Sequence, residues 1–126
     1  MAILAHGLQI VAGFLAPLII FFVKRDSKFV TFHALQALLL QAVNMAIALT
    51  LWMAWMLVIF TIILTGSPKP GPPPKMLFVL PVIMLGFVSE WLFVLFMAIV
   101  YGIKAGRGEW AGYPIIGDWA RRILKV

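Results

Sequence analysis

Formal charge divides this chain into three apolar runs, and that division constrains the fold more than any other feature. Met1 to Val23 carries no charge, Phe29 to Pro68 carries none, and Met76 to Ile103 carries only Glu90. A membrane-spanning helix needs about 20 apolar residues, so the first and third runs each predict one span. The middle run is 40 residues, about 60 Å if helical throughout. That is too long for one upright crossing, and no Gly or Pro between Val30 and Thr65 turns it back. It predicts an interfacial start near Phe29 to Gln36 followed by one span, with a second crossing as the alternative. The expected fold is all-α: an integral membrane protein with three transmembrane helices. The spans fall at about 3–23, 37–64 and 76–103 of a single domain, 1–126, with a short amphipathic tail over 104–126.

Composition agrees. The chain is 64% hydrophobic and 11% charged, against about 25% charged in a soluble domain. It holds no cysteine, which excludes disulfides, thiolate nucleophiles and zinc–thiolate sites. Its net charge of +6 flanks the apolar runs, so anionic headgroups are the expected partner rather than nucleic acid. The first run lacks the basic start and small-residue cleavage site of a secretory signal. Pro17 is expected to bend it, because proline removes a helix hydrogen bond.

Three spans would place the first loop and the tail on one side. Lys24, Arg25 and Lys28, with Lys104, Arg107, Arg121, Arg122 and Lys125, give that side eight basic residues; Lys69 and Lys75 give the other side two. The positive-inside rule then predicts an N-terminus outside and a C-terminus on the cytoplasmic side. The second loop, Gly66 to Lys75, has five prolines and reads as a stiff spacer, or as a docking site for a proline-binding partner. In the tail, Trp110, Trp119, Arg121 and Arg122 are expected interface anchors. Asp118 is expected to cap a last helix that turns Trp119, Ile123 and Leu124 to lipid.

Several polar residues fall inside the apolar runs. Glu90 lies near the middle of its span, where a charge costs about 2.5–3.5 kcal/mol on insertion scales. It is either a transport site or a neutral carboxyl bonded to a neighbouring helix. Counting depth from the basic boundaries puts Gln9, Asn44 and Glu90 in one layer. His33, Gln36, Gln41 and Asn44 share one helix face at ~100° per residue, with Thr31 opposite. The expected intramembrane polar cluster is thus Glu90, Asn44, Gln41, Gln36 and Gln9. His33 and His6 are candidate ligands to a haem or chlorophyll-type ring, or plain interfacial histidines. Three spans put them on opposite membrane sides, so no metal site is expected from the pair.

One stretch also resembles a known family. Pro17 and Leu18, the turn Lys24 to Asp26, Phe29, Phe32, His33, Ala34, Gln36, Ala37 and Leu38 are similar to small bacterial membrane proteins of the Tic-twenty-like group. Lys104, Ala105, Gly108, Glu109, Tyr113 and Pro114 extend the likeness. The resemblance implies a small helical protein of the bacterial inner (plasma) membrane, without an assigned activity, akin to chloroplast import components that have four spans.

No nucleophile–base pair or metal-ligand set can be assembled from these residues. The expected function is therefore non-enzymatic: an accessory or assembly subunit acting through helix–helix and lipid contacts with other membrane subunits. The alternatives are an oligomeric transporter or translocation component using Glu90, and a tetrapyrrole-binding subunit using His33 or His6.

Overall fold

The computed structural model describes residues 1–65 and 74–125. Five helices follow one another: α1 Ala2–Ala12, α2 Leu15–Val23, α3 Lys28–Thr65, α4 Pro74–Gly106 and α5 Ile116–Leu124. The proline-rich connector falls on 66–73, outside the described residues.

Among the described residues, two helices are long and apolar enough to cross a membrane, Lys28–Thr65 and Phe78–Gly106. Three were expected. The difference lies in the first apolar run, which is not one bent helix. Gly13 takes φ 54, ψ −127 and ends α1, a conformation glycine reaches at little steric cost. Pro17 does not bend the segment, because it is the third residue of α2. The first N–H groups of a helix have no partner within it, so a proline there costs no bond. At 11 residues, α1 is about 16 Å long at ~1.5 Å per residue. That is roughly half of a ~30 Å hydrocarbon core.

α3 is continuous over 38 residues, with no Gly or Pro to interrupt it. Its first turns pack against the first apolar run and the tail: residues from Thr31 to Ala37 are buried. Thr31 does not face away from the fold. Its hydroxyl donates to the Lys24 and Ser27 carbonyls at 3.0 and 2.9 Å, tying the charged turn to the helix.

Contacts divide the chain into two units. The first comprises Met1–Asn44 and Phe93–Val126, the second Met45–Leu92. In the first unit, Ala5 and Ile20 pack on Ala34. Phe32 and Leu35 pack on Ala120 of α5, and Leu40 joins Met97, Tyr113 and Ile116. In the second unit the side chains of Trp52, Met53, Leu57, Phe60, Leu85 and Trp91 stay exposed. There the hydroxyls of Thr50, Thr61 and Ser89 bond back to the carbonyls of Ala46, Leu57 and Leu85. Each hydroxyl is thus satisfied within its own apolar helix.

α4 ends in a Schellman motif. The Glu109 N–H donates to the Lys104 carbonyl at 3.1 Å and the Gly108 N–H to Ala105 at 3.2 Å. Gly108, at φ 80, supplies the left-handed residue this turn needs. α5 begins after Ile115, which holds φ 66. Asp118 lies in its first turn, but no side chain caps the helix. Trp119 and Ile123 are exposed as expected; Leu124 instead packs toward Phe32 and Leu35.

Candidate functional site

The first unit collects polar side chains from α1, α3 and the segment after α4 into one buried hydrogen-bonded chain. His33 lies one turn into α3, and its Nε2 is 3.0 Å from the Glu109 carbonyl, placed there by the Schellman turn. His33 Nδ1 is 3.0 Å from His6 Nε2 on α1. His6 Nδ1 is 2.7 Å from the Tyr113 hydroxyl, which accepts from Gln9 Nε2 at 3.3 Å. The Tyr113 N–H donates to Gln36 Oε1 at 2.6 Å, and Gln36 Nε2 donates to the Ala111 carbonyl at 3.3 Å.

Donor and acceptor accounting fixes where the protons sit. A carbonyl only accepts, so His33 carries its hydrogen on Nε2. Neutral His33 then offers a lone pair at Nδ1, and His6 must donate to it from Nε2. His6 Nδ1 is therefore an acceptor, and the Tyr113 O–H donates to it. One backbone carbonyl thus sets both tautomers and the direction of the hydroxyl. Burial, together with the neighbouring His33 ring, lowers the His6 pKa from 6.5 to about 3. Burial also pushes the Tyr113 phenol above its ordinary value. Both groups are neutral at physiological pH.

Packing holds the chain in place. The His6 and His33 rings meet edge to face at 5.2 Å, and Tyr101 stacks edge-on to Tyr113 at 4.4 Å. A Cβ on Gly102 would lie 3.4 Å from His6 Cβ, so α1 reaches this depth beside a residue without a side chain.

Of the expected polar cluster, Gln9, Gln36 and Gln41 enter this network. Gln41 Nε2 donates to the Gln9 carbonyl at 3.3 Å, one of the last four carbonyls of α1, which its helix leaves open. Asn44 Oδ1 is buried without a partner, as is Gln9 Oε1. Glu90 belongs to the second unit, where its Oε1 is buried without a partner. The expectation that His6 and His33 lie on opposite membrane sides is wrong: the break at Gly13 keeps α1 short, and the rings bond directly. Among the anchors, Trp110 packs against Phe29 and Phe32, and Arg121 lies over Phe32 while donating to the Trp110 carbonyl. Arg25 stacks on Phe22 at 4.6 Å. Lys24, Lys28 and Arg122 are exposed.

The residue that sequence reasoning missed is Tyr113, 2% exposed and bonded to His6 and Gln9. A tyrosine among arginines reads as a headgroup residue, and its burial follows only from the loop that Gly108 and Gly117 shape. Among the described residues no group of three or more His, Cys, Asp or Glu side chains is placed to hold a metal ion. All four imidazole nitrogens are engaged in this network.

Neither a curated protein nor a solved structure matches the chain. A family model does: that of the magnetosome magnetite crystal formation protein family (MamF/MmsF), over residues 1–120. This match overturns the resemblance to the Tic-twenty-like group. The chain belongs to the magnetosome magnetite crystal formation family.

Proposed function

We propose that this family member is a non-enzymatic accessory subunit, embedded in the membrane within which magnetite crystals form. It acts through lipid contacts and through helix contacts with other membrane subunits. The carrying observation is the buried chain from Glu109 through His33, His6 and Tyr113 to Gln9. Its polar groups bind α1, α3 and the tail to one another and leave no imidazole nitrogen open for chemistry.

The same contacts suggest a topology. α3 and α4 cross the bilayer, while α1 and α2 enter and return on one side. Lys24, Arg25, Lys28 and the basic tail then share the cytoplasmic side with the N-terminus, in keeping with the positive-inside rule. This replaces the N-outside arrangement that three crossings would give. Mild-detergent extraction of native membranes, followed by crosslinking and identification of co-purifying chains, tests the accessory role. Reproducible crosslinks to other magnetosome subunits are expected; a stable monomer with no partner would count against it.

A second reading rests on Glu90, whose Oε1 is buried and unpartnered in the second unit. An ionisable group within an apolar helix is a candidate proton or cation site. Ion flux in reconstituted vesicles that is unchanged by Glu90→Gln would exclude that role.

A further inference from the structure

α1 and α2 form a helical hairpin with both ends at the same end of the first unit. A Cβ on Gly106 would lie 3.1 Å from Ile3 Cδ1, and one on Gly102 3.4 Å from His6 Cβ. As α1 advances it therefore retreats along α4, so its start lies beside the basic end of α4 and its tip points away. α2 returns to Lys24 and the charged turn. At the tip, around Gly13 and Phe14, Val11 is 88% exposed, with Phe14 and Leu15 also exposed, and α1 and α2 themselves carry no charged residue. At about 16 Å the hairpin reaches about the middle of a ~30 Å core.

α5 belongs to the same end of the unit. Its Ile116 and Ala120 are buried, while Trp119 and Ile123 are exposed together with Arg121, Arg122 and Lys125. Such a helix lies in the plane of the headgroups, with rings and aliphatic chains among acyl groups and cations on phosphates. In the two-crossing topology proposed above, three of the five helices among the described residues, α1, α2 and α5, would displace lipid from one leaflet only.

We propose that the first unit is a curvature-selective lipid-binding element. The α1–α2 hairpin and α5 insert together into the leaflet that carries the basic residues, with anionic phospholipid as the ligand. A wedge in one leaflet expands it relative to the other, and the bilayer relieves the mismatch by bulging toward the wedge. The unit thus favours membranes that are convex on its basic face. This inference rests on the two-crossing topology proposed above.

The sequence has no cysteine, so two introduced thiols can report orientation: one placed before Met1, the other after Val126. Each variant is reconstituted into vesicles of phosphatidylcholine and phosphatidylglycerol, small sonicated or large extruded, and labelled with a membrane-impermeant maleimide. Both thiols should report the same side, and the outward-facing fraction should rise several-fold over the inward-facing one in small vesicles alone. Thiols on the same side with an orientation independent of vesicle size would overturn the curvature proposal and leave the topology standing. Thiols on opposite sides would overturn the topology and the proposal with it. Trp119→Ser combined with Ile123→Ser leaves the buried residues of α5 intact and should reduce the bias. An undiminished bias would overturn the part assigned to α5.

Discussion

Gly112 and Gly117 approach so closely that a Cβ on Gly117 would sit 2.6 Å from the Gly112 Cα and 3.3 Å from Gln36 Oε1. Two backbones and one buried amide meet there, and no flexible side chain can give way. Gly117→Ala should force the segment before α5 away from α3 and lengthen the bond from the Tyr113 N–H to Gln36. Overpacking of this kind costs about 1–3 kcal/mol. Thermal unfolding in detergent should show a lower midpoint for Gly117→Ala, and no comparable loss for Gly7→Ala, where a Cβ would meet open space.

Tyr113→Phe removes one oxygen and strands two partners. His6 Nδ1 loses its donor and the Gln9 amide loses its acceptor. Each buried polar group left unpaired costs about 1–3 kcal/mol. The phenylalanine variant should therefore be markedly less stable than wild type although the ring and its packing on Tyr101 persist. A midpoint equal to wild type would mean that the hydroxyl is not part of a closed network.

The folded protein should lose stability on acidification. His6 is held near pKa 3, against about 6.5 in an unfolded chain. Between those values the unfolded state binds more protons, so stability rises with pH there. It is full above about pH 6.5 and falls as pH drops toward 3, by at most about 1.4 kcal/mol per pH unit for this one group. Denaturation of wild type and of His6→Phe across that window separates this contribution, since the variant should show the shallower slope.

Ile115 holds φ 66 with a β-branched side chain that is itself exposed. A non-glycine residue there stores about 1–3 kcal/mol. Ile115→Gly should relieve it, offset in part by the added freedom of the unfolded chain. Either a higher midpoint or no change is compatible with strain; a clear loss would show that Ile115 contributes contacts which outweigh it.

Much of the architecture is legible in the residues alone. The single helix over Val30 to Thr65 agrees with the absence of Gly and Pro there, although its length also admitted an interfacial start or a second crossing. The basic turn and the amphipathic tail follow from charge spacing. The hairpin is harder to read, because Pro17 draws the eye while the break occurs at Gly13. A glycine is tolerated inside helices, and a proline in a first turn is silent, so nothing local tells the two apart. The pairing of His6 with His33 depends on that break, and Tyr113 enters from 107 residues away. Contacts of that range leave no periodic trace in a sequence.

The Schellman turn after α4 has a further consequence for how this chain can vary. His33 reads the backbone carbonyl of residue 109, and the Glu109 side chain is not part of that contact. The instruction that sets both imidazole tautomers is written in Gly108, whose left-handed backbone aims the carbonyl. Almost any amino acid at 109 would transmit it, whereas a branched residue at 108 would erase it. A saturation screen at the two adjacent positions would find one permissive and its neighbour nearly closed.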